Sequence, residues 1–129
     1  MGTLTIIVLI VVGIAGAIVI SVRLRRRREN ETPQERVDRL QRDARKFARR
    51  IVSEIKLYNK SRVADGNRSH DLYHQLQKDI DRGRMMYDKA NDSLADRDYF
   101  HEAVVEILCD GNADVLGDGY PGPRAHTIQ

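Results

Sequence analysis

His70 and His74 stand four residues apart with Asp71 between them. On a helix this spacing puts two imidazoles on one face, where they can share a metal ion. A metalloprotease helix needs Glu directly after the first His, and Asp71 is one methylene shorter. Only His101 or a distant carboxylate offers a third ligand, so a pair of surface histidines is the simpler reading. Asp110, Asn112, Asp114 and Asp118 fall on positions 1, 3, 5 and 9 of a calcium loop, but Val115 replaces the required Gly and Pro121 the required Glu. Gly111, Gly117 and Gly119 follow no strand and open no helix, so they form no phosphate-binding loop. The lone Cys109 cannot form an intrachain disulfide, which agrees with a reducing cytoplasm. It is expected on the buried face of the last helix as a small hydrophobe. No Ser, His and acid arrangement follows from spacing. The expectation is a non-enzymatic protein with no cofactor and no metal.

The chemistry that remains is that of lipid. Residues 4–22 carry no charge, and Arg23, Arg25, Arg26, Arg27 and Arg28 follow at once. A hydrocarbon core about 30 Å thick needs roughly 20 helical residues, and only a helix satisfies its own backbone there. The arginines predict orientation: the amino terminus outside, the remainder in the cytoplasm of a bacterial inner membrane. They also predict contact with anionic lipids. A cleaved signal peptide would place its positive charges before the apolar run, and Ala15-Gly16-Ala17 lies inside it. Myristoylation at Gly2 would need Ser or Thr where the chain has Ile6. Gly13, Ala17 and Ser21 recur every fourth residue and form a face of small side chains on which a second membrane helix can pack. The run contains no ionisable side chain, so it offers no ligand for a pigment, a haem or a translocated ion.

Charge is unevenly distributed. Residues 23–62 hold 15 Lys and Arg against 6 Asp and Glu, whereas residues 63–129 hold 7 against 13. The basic half adjoins the membrane segment, and the acidic half can pair with it or face a basic partner. Nucleic acid is the weaker reading of the basic half, because the arginines already have a membrane role. With aromatics at 5% and no Trp, the soluble part must build its core from aliphatics, Tyr and Phe.

These groups must be positioned by helices. Thr32-Pro33-Gln34-Glu35 is a start signal: an N-cap, Pro at N1 and a capping box. Val37, Leu40, Ala44, Phe47, Ile51 and then Ile55 or Tyr58 form one apolar stripe, and Ala64-Asp65-Gly66 predicts the stop, with Gly66 left-handed. A second helix is predicted to begin after Asn67 or at Ser69, with apolar positions Leu72, Tyr73, Leu76, Ile80, Met85, Met86 and Tyr87. Gly83 inside it implies close approach of a neighbour. Asn91-Asp92-Ser93 reads as a break. A third helix is predicted from Asp98 to Cys109, with Phe100, Ala103, Val104, Ile107 and Leu108 on one face, ended by Gly111. The remainder, rich in Gly and Pro, predicts an irregular tail. The expected fold is all-α. Residues 1–28 are the transmembrane anchor with its polybasic flank and 29–32 a linker. Residues 33–110 are a cytoplasmic domain built on a long antiparallel helical hairpin with a third short helix, and 111–129 the tail.

The run Phe47-Ala48-Arg49-Arg50-Ile51-Val52-Ser53-Glu54-Ile55-Lys56-Leu57-Tyr58-Asn59 is distinctive. With Asp71-Leu72-Tyr73, Asp79-Ile80 and Asp98-Tyr99-Phe100-His101, it resembles a family of small uncharacterised bacterial helical domains. The resemblance spans residues 45–123, including Leu116-Gly117 and Tyr120-Pro121-Gly122-Pro123. It implies a shared fold or docking features at Ser53-Glu54-Ile55-Lys56 and in the tail, and no catalytic residue. The functional expectation is a single-pass accessory subunit of a larger bacterial membrane complex, contacting other subunits through its membrane helix and cytoplasmic helices. Energy-transducing and photosynthetic reaction-centre complexes offer an analogy. The alternative is a membrane-tethered signalling or adaptor domain that recruits a soluble partner.

Overall fold

A computed structural model describes residues 2–91 and 97–124, with Arg27 and Arg28 as backbone only. Among the described residues every regular element is helical. The chain divides into two compact units at Val37/Asp38.

The first unit holds helix α1 (Gly2–Glu29). Its span from Gly2 to Arg26 is long and apolar enough to cross a membrane, and none of it is buried in the protein. Residues 30–32 lie outside helix, and α2 (Pro33–Tyr58) follows. The capping box forms. The Thr32 hydroxyl accepts from the Glu35 amide at 3.2 Å, and the Glu35 carboxylate accepts from the Thr32 amide at 2.8 Å. Those hydrogen bonds lower the Glu35 pKa from the usual carboxylate range.

The second unit begins within α2 and contains α3 (Lys60–Ser69), α4 (Leu72–Ala90) and α5 (Tyr99–Ala103). A π-helical turn (Val104–Leu108) continues α5, and a 3₁₀ turn (Ala113–Leu116) follows. Helices α2 and α3 are separated by Asn59 alone. Its side-chain amide donates to the Ile55 carbonyl at 2.9 Å, and its backbone leaves the helical basin with φ −129° and ψ 32°. The side chain thus competes with the helix for a carbonyl.

Gly66 is not the predicted stop. It is buried inside α3, and a Cβ there would stand 2.7 Å from the Leu72 Cα. The position requires Gly because α4 crosses it so closely. The left-handed residue that ends α3 is His70, with φ 56° and ψ 38°, so the second helix of the hairpin starts later than predicted, at Leu72.

Three contact sets show that α4 runs antiparallel to α2 and α3. Leu72 meets Gly66, Arg62 meets Gln75 and Asp79, and Ile51 and Ile55 meet Gly83. The close approach predicted at Gly83 is present: a Cβ there would lie 2.8 Å from Ile51 Cγ2. Leu72, Tyr73, Leu76, Ile80 and Tyr87 are buried as predicted, but Met85 and Met86 are 68% and 50% exposed. The stripe narrows there because Gly83 and Tyr87 take the core side of the last turns. Phe100, Ala103, Val104 and Leu108 close the core, as does Cys109, whose thiol burial pushes up to about 12. The predicted break at Asn91-Asp92-Ser93 lies largely outside the described residues; Asn91 caps α4. The tail through Arg124 is not wholly irregular. Asn112 caps the 3₁₀ turn, and Val115 and Leu116 enter the core.

Candidate functional site

Two places concentrate chemistry. The first is the face of α1 carrying Gly13, Ala17 and Ser21, one turn apart. Nothing lies within 4 Å of a Cβ built on Gly13. The Ser21 hydroxyl donates to the Ala17 carbonyl at 2.8 Å, which satisfies the one polar side chain of this face within its own helix. Beside it runs a shallow groove lined by Ile14, Ala17, Ile18, Ser21, Val22 and Arg25. Arg23, Arg25 and Arg26 extend the same helix past the apolar run, and Arg27 and Arg28 continue its backbone.

The second place lies in the domain and centres on Asp98, the N-cap of α5. Its carboxylate accepts from Arg84 Nη1 at 2.6 Å, from the His101 amide at 3.0 Å and from the Arg124 amide at 2.9 Å. These donors hold the Asp98 pKa below the usual carboxylate range against the opposing effect of its burial. Arg84 also stacks over Phe100 at 4.6 Å, and Arg124 reaches Asp88 at 2.8 Å. His101 Nδ1 lies 2.9 Å from the Tyr120 hydroxyl, the two rings stack, and Tyr120 meets Tyr73 edge-on at 5.3 Å. Burial lowers the His101 pKa below its ordinary 6.5.

The cluster therefore pins the tail to α4 and α5. Its carboxylate is occupied by three donors, and the buried Cys109 stays a thiol, so neither serves as a general base or nucleophile. The sequence reading missed the Arg84, Asp98 and Arg124 node. Asp98 carried a signal, since Asp ahead of Tyr99-Phe100-His101-Glu102 fits an N-cap with its acceptor aimed at N3.

The predicted metal and calcium candidates are not brought together. His70 lies outside α4, in the left-handed residue ending α3, so the helical register that would align it with His74 does not exist. Among the described residues no group of three or more His, Cys, Asp or Glu side chains converges as a metal site. Asn112 accepts from the Asp114 amide as a cap, and Asp110 receives Lys56.

No family model, curated protein or solved structure matches the chain.

Proposed function

We propose that this is a non-enzymatic, single-pass membrane protein, an accessory subunit of a larger bacterial membrane complex. In this reading α1 spans the cytoplasmic membrane with its amino terminus outside, and the helical domain covers a cytoplasmic surface of the complex. One observation carries it. The apolar span of α1 is unburied, while the core is complete without it, drawing every member from between Ala44 and Leu116. An apolar helix of that length excluded from its own protein's core needs lipid or other membrane helices around it. Gly13, Ala17 and Ser21 supply the packing face, and Arg23, Arg25, Arg26, Arg27 and Arg28 supply the anionic-lipid contact and the orientation. The test is affinity purification from native membranes in mild detergent, followed by a native gel. Comigration with a large complex is expected. Purification only as an isolated monomer would overturn the reading.

A second reading is an adaptor that recruits a soluble partner. It is favoured by side chains the domain leaves uncovered: Tyr58 at 80%, Met85 at 68% and Leu57 at 56% exposure. It requires that residues 33–129 capture a cytoplasmic protein without α1, which the accessory-subunit reading does not.

A further inference from the structure

The basic half of the chain is divided by the fold into two sets with different tasks. Arg45 stacks over Tyr99 at 5.1 Å, and Arg49 pairs with Glu106. Lys56 donates to the Ile107 carbonyl at 2.8 Å and approaches Asp110 at 3.4 Å, while Arg62 pairs with Asp79 at 3.1 Å. These four meet later segments and serve the fold. Arg42, Lys46 and Arg50 do not. They stand at successive four-residue steps on α2, all exposed, with Arg39 beside them. At about 100° per residue this ridge points away from Ala44, Ala48, Ile51 and Ile55, the buried stripe of the same helix. Arg42 and Lys46 have no ion pair among the described residues. Among the described residues Arg50 has only Glu54, on its own helix, at 3.4 Å. Exposed pairs of this kind hold a side chain weakly.

We infer that the Arg42, Lys46 and Arg50 ridge is a docking surface for an anionic phospholipid headgroup layer, additional to the arginines that end α1. The inference rests on the reading of α1 as a membrane span. Charge complementarity is the first argument, since each basic side chain near such a surface is worth about 1 kcal/mol. Reach is the second. Residues 30–32 are all that separate α1 from α2, and three extended residues cover at most about 10 Å. Arg42 and Arg50 stand about 14 and 26 Å along α2 from Pro33, so this short tether keeps the ridge at high effective concentration with respect to the headgroups. Against nucleic acid, the ridge lacks bases' usual stacking partners, for Phe47 is the sole aromatic between residues 39 and 57 and it packs against the core.

The test uses the full chain with Ser53→Cys, an exposed position beyond Arg50 on the same side, carrying a polarity-sensitive dye. Cys109 is 2% exposed and escapes the label. The protein is placed in nanodiscs of phosphatidylcholine alone or with phosphatidylglycerol. A blue shift is expected only with phosphatidylglycerol. Added salt should reverse it, and Arg42→Gln, Lys46→Gln and Arg50→Gln together should abolish it, each lowering the docked-to-free ratio roughly fivefold. Equal emission in both discs, or a shift that survives the triple variant, overturns the inference. So does a shift caused by an oligonucleotide or an acidic protein and not by phosphatidylglycerol. A chain that fails to enter the discs refutes the span instead; the dye is then read on added phosphatidylglycerol vesicles, where an unchanged signal also overturns the ridge. Unchanged circular dichroism of the triple variant shows that loss of the shift is not loss of fold.

Discussion

At Gly66 a methyl group would stand 2.7 Å from the Cα and 2.7 Å from Cδ1 of Leu72. Ala is the better helix former by about 1 kcal/mol at an open position, so propensity and packing oppose each other there. Packing prevails, because one of the clashing atoms is backbone and α4 would have to retreat from α3 to admit the methyl. Gly66→Ala is expected to destabilise the domain by about 2 kcal/mol net, within the range for overpacking a core. Urea unfolding monitored by circular dichroism measures it, and a variant as stable as the parent would show that α3 and α4 do not meet so closely. The reading of Gly66 as a helix stop failed for a related reason. Glycine answers two different demands, a left-handed backbone or a close neighbour, and sequence alone does not distinguish them. At Gly83 the inferred demand was the right one, since Ile51 and Ile55 occupy the space a side chain would need.

The long hairpin was legible because its cues are local, and so was the capping box that opens it. The interruption at Asn59 was not. No Gly or Pro marks it, and it depends on one amide turning back to the Ile55 carbonyl while Arg62 engages the same side chain. The order of the tail was hidden for the opposite reason, since its cues are long-range: Asp98 takes the amide of Arg124, 26 residues away. Asp98→Ala removes the α5 cap, the Arg124 contact and the closer carboxylate of Arg84, whose side chain is only 18% exposed. Asp88 remains 4.0 Å from that guanidinium, so loss of its charged hydrogen bond to Asp98 should cost about 2 kcal/mol. Amide hydrogen exchange at His101 and Arg124 should accelerate together; protection retained at both would mean that Asp98 does not hold the tail. His101 adds an acid sensitivity to this junction. Burial and Arg84 lower its pKa from 6.5, outweighing Asp98 and Glu102, which raise it. The neutral ring then contributes stability that is present above the unfolded value and lost as pH falls through the folded one. Unfolding free energy should therefore fall as pH drops below the ordinary imidazole range, above the range where Asp98, its pKa lowered, titrates. His101→Gln should flatten that drop, and an undiminished slope in the variant would assign it to other groups.

The membrane-compatible helix was the most legible feature, because lipid imposes a rule on composition that needs no knowledge of neighbours. The same rule separates it from the rest of the chain. A residue buried in the core must match its contacts, whereas residues 2–26 need only be apolar enough to meet that rule, and none of them is buried in the protein. The buried cluster, from Ala44 to Leu116, includes Phe100, Leu72, Leu76, Ile80 and Leu108, each almost wholly removed from water. A domain of this size is marginal unless its core is self-sufficient. The closure of the core and the cap supplied by Thr32 together lead to a definite outcome. Residues 33–129, expressed without α1, should remain soluble and unfold in one cooperative transition. Starting the fragment at residue 31 keeps Thr32 and should raise its stability by about 1 kcal/mol at most, the worth of one N-cap. Thermal unfolding in detergent-free buffer tests both statements. A broad, non-cooperative melt, or sharpening only when α1 and lipid are restored, would mean that α1 takes part in the fold of the domain.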